Sequence, residues 1–137
     1  MRCIWESETP FDAILLDAPC SATGTIRRHP DLPSVKDGLD AAELARLQEQ
    51  LIDRACEMLR PGRVMVFCTR SLLWEEGEGH LAAMLERYSD LVRDPQDPPG
   101  VEPEWQARGG GLRLRPDYWP ERGGMDGFFM ARLRKTA

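Results

Sequence analysis

With 137 residues, 42% hydrophobic and 30% charged, the chain has the balance of one globular domain, and no stretch approaches the roughly 20 apolar residues of a membrane span. A formal net charge of −5 argues against a generic nucleic-acid coat. Cys3, Cys20, Cys56 and Cys68 form no CxxC pair and His29 lies far from His80, so no metal site is expected and the thiols read as reduced, in the cytoplasm.

Residues 1–5 run at once into Glu6 and Glu8, unlike a signal peptide. Phe11, Ala13, Ile14, Leu15 and Leu16 read as a short strand buried on both faces. Asp17, Pro19 and Cys20 then fall at its carboxyl end, where open α/β sheets build ligand crevices. Proline there fixes the backbone so that a thiol and a carboxylate face one pocket. A loop rich in glycine, proline and charge fills residues 21–39. Asp40 with Glu43 is a capping-box start. Leu44, Leu47, Leu51, Ala55, Met58 and Leu59 recur at helical spacing, for an amphipathic helix of about five turns that Pro61-Gly62 stops.

Residues 63–69, RVMVFCT, are a second β-rich run. Glu75, Glu76 and Glu78 suit the first turn of the next helix, whose apolar stripe is Leu81, Met84, Leu85 and Tyr88, with His80 exposed. A proline-rich loop occupies residues 95–103, and Gly109-Gly110-Gly111 is a flexible joint. Residues 112–116 alternate like a short strand, and 127–133, GFFMARL, form a last one. Trp74, Trp105, Tyr118 and Trp119 read as core or loop anchors rather than base-stacking platforms.

The element order predicts an α/β fold: half of a doubly wound, Rossmann-like sheet, partly parallel, with about four strands flanked by helices. A half-sheet leaves the first strand's edge open, and open hydrophobic edges recruit other chains. Self-association, or an N-terminal partner covering that edge, is therefore expected. Charge is uneven: residues 36–104 hold 8 basic and 15 acidic side chains, whereas residues 108–137 hold 7 and 3. Arg113, Arg115, Arg132, Arg134 and Lys135 of this basic tail are candidate phosphate contacts.

Residues 17–31, DAPCSATGTIRRHPD, resemble the fourth motif of Sun/Nol/Nop-type RNA cytosine-5 methyltransferases, most closely the bacterial small-subunit rRNA enzymes. Residues 59–78 resemble the sixth motif, and residues 112–116 and 123–133 the carboxyl-terminal motifs. The likeness covers nearly the whole chain, as the carboxyl-terminal half of a methyltransferase catalytic domain. It implies an RNA substrate and S-adenosylmethionine as methyl donor. By resemblance Cys20 is the cysteine that releases the covalent adduct, Asp17 anchors the base and borders the cofactor, and Pro19 shapes the base pocket. Arg27 and Arg28 follow as phosphate contacts beside the flipped base.

Two departures matter. The family's attacking cysteine lies between threonine and serine, where this chain has Thr69-Arg70-Ser71. Guanidinium stays protonated and offers no usable lone pair. Cys68, two positions back on a strand, lies about 6–7 Å deeper, too far to substitute. No glycine-rich cofactor motif precedes the first strand, and Gly109-Gly110-Gly111 follows none. Methyl transfer by this chain alone is therefore not expected. The alternatives are a non-catalytic RNA- or protein-binding remnant, or a fragment of a split or truncated gene.

Overall fold

The computed structural model describes residues 7–31, 40–94 and 98–137; the expectations for residues 1–6, for the end of the first loop and for residues 95–97 lie outside these. The elements are β1 (Phe11–Asp17), α1 (Ala41–Met58), β2 (Leu59–Thr69), α2 (Glu78–Arg87), β3 (Leu91–Arg93), β4 (Leu112–Leu114) and β5 (Phe128–Lys135), with short 3-10 turns between them. One sheet joins all five strands in the order β1-β2-β5-β3, and β4 shares the outer edge of β5 with β3. β1 runs parallel to β2, and β5 is antiparallel to β2. The expected mixed α/β sheet is present with five strands rather than about four. β3 escaped notice because three residues directly after a helix carry no readable periodicity.

α1 starts on the expected capping box: Glu43 N–H donates to the Asp40 carboxylate at 2.8 Å, and Asp40 N–H to the Glu43 carboxylate at 3.1 Å. It ends at Met58 because the residues before Pro61 are pushed out of helical geometry. β2 therefore begins earlier than the expected Arg63. Gly62, at φ +81°, turns the chain where the β1–β2 register shifts between Phe11 and Ala13.

Met65 and Phe67 of β2 and Phe129, Ala131 and Leu133 of β5 form the core with Ile52, Ala55 and Cys56 of α1 and Leu81 and Met84 of α2. Both helices thus cover one sheet face. This corrects the reading of β1 as buried on both sides. Ile14 and Leu16 pack on the core, whereas Leu15, on the uncovered face, is 72% exposed. A strand paired on one side and covered on one face keeps the alternation of a half-buried strand.

His80 is likewise not exposed. It is buried, with its ring edge-on to Phe67 at 6.0 Å between centroids. The basic tail and the acidic middle meet across the fold. Arg132 and Arg134 bind the buried Asp94 carboxylate at 3.2 and 2.9 Å, Arg113 binds Glu78, and the Lys135 ammonium donates to the Cys56 carbonyl at 2.8 Å. Arg115 pairs with Asp117 at 2.9 Å within its own loop. The five candidate phosphate contacts of the tail are thus engaged in ion pairs and carbonyl contacts.

Candidate functional site

The carboxyl ends of β1 and β2 lie side by side, and each opens into a turn. Asp17 pairs in register with Cys68, and Ala18 N–H donates to the Cys68 carbonyl at 3.1 Å. The second turn carries Arg70, whose carbonyl accepts from Gly24 N–H at 2.8 Å; Gly127 N–H donates to the Gly24 carbonyl at 2.7 Å. Leu72 N–H donates to Thr23 Oγ1 at 2.8 Å. Two segments about fifty residues apart in sequence are thus laced together by their main chains.

A buried carboxylate lies beneath both turns. Glu76 accepts from Ser21 N–H at 2.9 Å, Ser21 Oγ at 2.6 Å, Gln48 Nε2 at 3.1 Å and the Ser71 hydroxyl. Burial alone would raise its carboxyl pKa; the bonds from Ser21, Ser71 and Gln48 outweigh that and hold it below the ordinary value. Gln48, fully buried on α1, also donates to the Pro19 carbonyl at 2.8 Å, and its Oε1 meets His80 Nε2 at 2.8 Å. Arg113 supports the second turn from behind: it donates to the Ser71 carbonyl, grips Glu78 at 2.6 and 2.7 Å, and stacks over the Phe129 ring at 5.1 Å.

Sequence reasoning missed Glu76, Gln48 and His80. Glu76 was expected in the first turn of a helix; instead it ends a 3-10 turn, Trp74–Glu76, that aims it inward. Gln48 lies four residues before the buried Ile52, and His80 four before the buried Met84, so helical spacing held the signal. Polar side chains are not counted when an apolar stripe is traced.

The expected site residues divide into two groups. Cys20, half-buried, stands against the second turn, with hydrogen bonds from the backbone of Ala22 and Arg70. Burial nevertheless pushes its thiol pKa up, and the Glu76 charge adds to this. Cys68 is deeply buried, and its thiol donates to the Leu16 carbonyl at 3.7 Å and Asp17 Oδ1 at 3.9 Å. Burial and the Asp17 carboxylate push it up to about 11, so at neutral pH it is a thiol pointed at a carboxylate, not a nucleophile. Pro19 and Asp17 are exposed on the rim.

Arg27 and Arg28 lie farther out. Arg28 is engaged by Asp126, with Nη2 to Oδ2 at 2.6 Å. Arg27 and Arg70 are exposed and make no ion pair among the described residues. Trp105 and Trp119 pack edge to face at 5.1 Å with Arg122 over Trp119, as loop anchors, but Trp74 is 61% exposed, with one edge of its ring against Gly79.

Among the described residues no group of three His, Cys, Asp or Glu side chains could hold a metal ion, and no helix is long and apolar enough to cross a membrane. The family model described as 16S rRNA methyltransferase RsmB/F matches residues 2–134. The chain is 40% identical over 134 residues to ribosomal RNA small subunit methyltransferase B of Erwinia tasmaniensis, covering 96% of this chain and 28% of that protein. It is 43% identical over 131 residues to the protein of the same name from Salmonella newport, again 28% of its length. The chain therefore spans little more than a quarter of these relatives. Among solved structures it resembles NSun6 from Pyrococcus horikoshii solved with SFG, with TM-score 0.74 and 30% identity, over 94% of this chain and 31% of that one. A methyltransferase homologue from the same organism superposes with TM-score 0.68 and 32% identity, over 93% of this chain and 40% of that one.

Proposed function

The chain belongs to the 16S rRNA methyltransferase RsmB/F family, and on that footing we propose that it supplies the target-base side of an S-adenosylmethionine-dependent rRNA cytosine-5 methyltransferase domain. The observation that carries this reading is the lacing of the Cys20 turn to the Arg70 turn through Gly24 N–H and the Arg70 carbonyl at 2.8 Å. It supports one pocket with two walls at the carboxyl ends of adjacent parallel strands.

In that pocket Pro19 shapes the wall, Asp17 anchors the base, and Cys20 is the group that releases the adduct. Release takes the proton from carbon 5 as the bond to carbon 6 breaks, so Cys20 acts there as a thiolate base; burial, which raises its pKa, makes that thiolate scarcer and more basic. Arg27 is the phosphate contact with its guanidinium unpaired; Arg28 fixes the loop through Asp126. Arg70 leaves the covalent route without its nucleophile. Residues 1–137 form the carboxyl-terminal half of the catalytic domain, working in the cytoplasm. A second reading, a non-catalytic RNA-binding remnant, draws on the exposed Arg70, a cation on the turn that follows β2.

S-adenosylmethionine, which supplies the methyl group when bound, is not fitted by the described residues alone. Asp17 is the only family cofactor-bordering position among them, and its closest polar contact is the Cys68 thiol at 3.9 Å. No glycine-rich turn follows β1 to cradle a nucleotide. Calorimetry therefore detects no micromolar S-adenosylmethionine binding by this chain alone, and binding appears when the preceding half of a family domain is added. Micromolar binding by the isolated chain would overturn the two-half reading.

The same half is proposed to cover the open edge of β1 and the bare face around Leu15. Without it, copies of this chain pair with one another. Cross-linking at high concentration gives dimers and larger species, and Leu15→Lys, a charge on the exposed edge strand, shifts the distribution to monomer. Monomer alone in the unsubstituted protein is the contrary result.

A further inference from the structure

We propose that Glu76 is a positioning residue that locks the Cys20 turn to the Arg70 turn, so that the two walls of the pocket move as one body. This rests on the reading of those turns as walls of one base site.

The donor pattern carries the argument. Oε1 receives Ser21 N–H and Gln48 Nε2, and Oε2 receives the Ser21 and Ser71 hydroxyls. Ser21 directly follows Cys20, and Ser71 directly follows Arg70. One carboxylate therefore holds the residue next to each chemically important position. The reach extends further through Gln48, whose amide spans Glu76 and the Pro19 carbonyl, so α1 joins the same network. Gln48 Oε1 is an acceptor only, which makes His80 Nε2 the donor at 2.8 Å, and burial of the ring holds its pKa below the ordinary value. Four donors point at Glu76, and Gln48 spends its second amide hydrogen on the Pro19 carbonyl.

That polarity requires an ionised carboxylate. A protonated Glu76 would set an O–H against a donor, and an amide in its place would do the same at one of its two positions. A structural carboxylate with no role at the site would need only to satisfy its own helix or turn. Here all four donors come from outside the 3-10 turn that carries it, three of them from the two pocket turns. The main-chain bonds between the turns fix their separation; the carboxylate adds a negative charge that raises the Cys20 thiol against the Arg70 cation that lowers it.

The groups that face Cys20 are Glu76, Arg70 and Cys68, with Asp17 behind Cys68. Glu76→Gln removes one charge from this set while keeping the shape. Peptide-resolved alkylation of Cys20 by iodoacetamide, followed from pH 6 to 10, reads the effect. The alkylation midpoint moves down and the rate at pH 7.5 rises at least about twofold, while buried Cys56 stays protected. An unchanged Cys20 midpoint with Cys56 still protected overturns the proposal. If Glu76→Gln exposes Cys56 as well, Ser71→Ala decides the matter. Amide exchange at Ser21, fifty residues away, then speeds up at least about tenfold if the carboxylate couples the turns. Exchange at the unsubstituted rate overturns the coupling. Neither readout uses RNA or cofactor, so a failure here leaves the family reading standing, and an absence of methyl transfer does not touch this proposal.

Discussion

Arg70→Cys, combined with the preceding half of a family domain supplied as a separate chain, forms a covalent adduct with 5-fluorocytosine RNA at least about a thousandfold faster than the unsubstituted chain so combined. The expectation follows from what holds residue 70 in place. Its carbonyl is bonded by Gly24 N–H at 2.8 Å, the preceding Thr69 hydroxyl donates to the Glu76 carbonyl at 3.1 Å, and the following Ser71 is gripped by Glu76 and Arg113. None of these bonds uses the residue 70 side chain, so a cysteine inherits the backbone position unchanged. Removing the nucleophile of an enzyme costs on the order of 10⁶ in rate, and supplying one to an intact pocket recovers a large share.

Chemistry gives the reason for a large ratio. The new thiolate adds to carbon 6 of the base; once carbon 5 has taken the methyl group of S-adenosylmethionine supplied in the reaction, fluorine occupies the place of the proton whose loss would free the thiolate. Neither native cysteine can stand in. Cys68 is buried with its pKa pushed up to about 11, and burial likewise raises the Cys20 thiol, which stands on the other turn. Mass spectrometry of the protein–RNA product measures the ratio. If the reconstituted pair binds S-adenosylmethionine but Arg70→Cys yields no adduct, the pocket has lost more than its nucleophile, and the non-catalytic reading takes its place.

Gly24→Ala is the second substitution with a large effect. A Cβ at position 24 would fall onto the Gly127 carbonyl oxygen and within 2.7 Å of the Arg70 carbonyl oxygen. Both obstacles are main chain, so no side-chain rotation relieves the clash. The backbone must part, and with it go the Gly24–Arg70 bond at 2.8 Å and the Gly127–Gly24 bond at 2.7 Å. Overpacking and two lost buried hydrogen bonds together cost roughly 3 kcal/mol, which lowers the melting temperature by roughly 10 °C in a chain of this size. Gly109→Ala is the matched control: nothing lies within 4 Å of a Cβ there, and its change stays within about 0.5 kcal/mol. Thermal unfolding followed by circular dichroism compares the two. Equal melting temperatures for the two variants would mean that the turns are not held as tightly as their contacts require.

Much of the fold was legible because local chemistry and periodicity agreed. The capping box at Asp40, the stop before Pro61 and the alternation of Met65 and Phe67 each act within a few residues. Their physics is complete before the chain folds. Less legible were β3, too short to show a period, and the exposure of Leu15, which depends on what lies over the sheet rather than on β1. The candidate site followed the same division. Asp17, Pro19, Cys20 and Arg70 stood out by motif. Glu76, Gln48 and His80 did not, because a buried polar residue is recognised by its partners, and apart from Ser71 those lie 28 to 55 residues away.

By itself the sequence determined the ancestry of this chain, the order of its longer strands and helices, and that an arginine stands between Thr69 and Ser71. These are properties of residue identity and short-range order, and no packing arrangement alters them. Only the tertiary structure decided that the basic tail is spent on Asp94 and Glu78, that Arg28 is committed to Asp126, and that one carboxylate ties the two pocket turns together. The physical reason is that charge and hydrogen-bonding capacity become function only after partners are chosen. Partners are chosen by which distant segments the sheet brings within about 3 Å of one another.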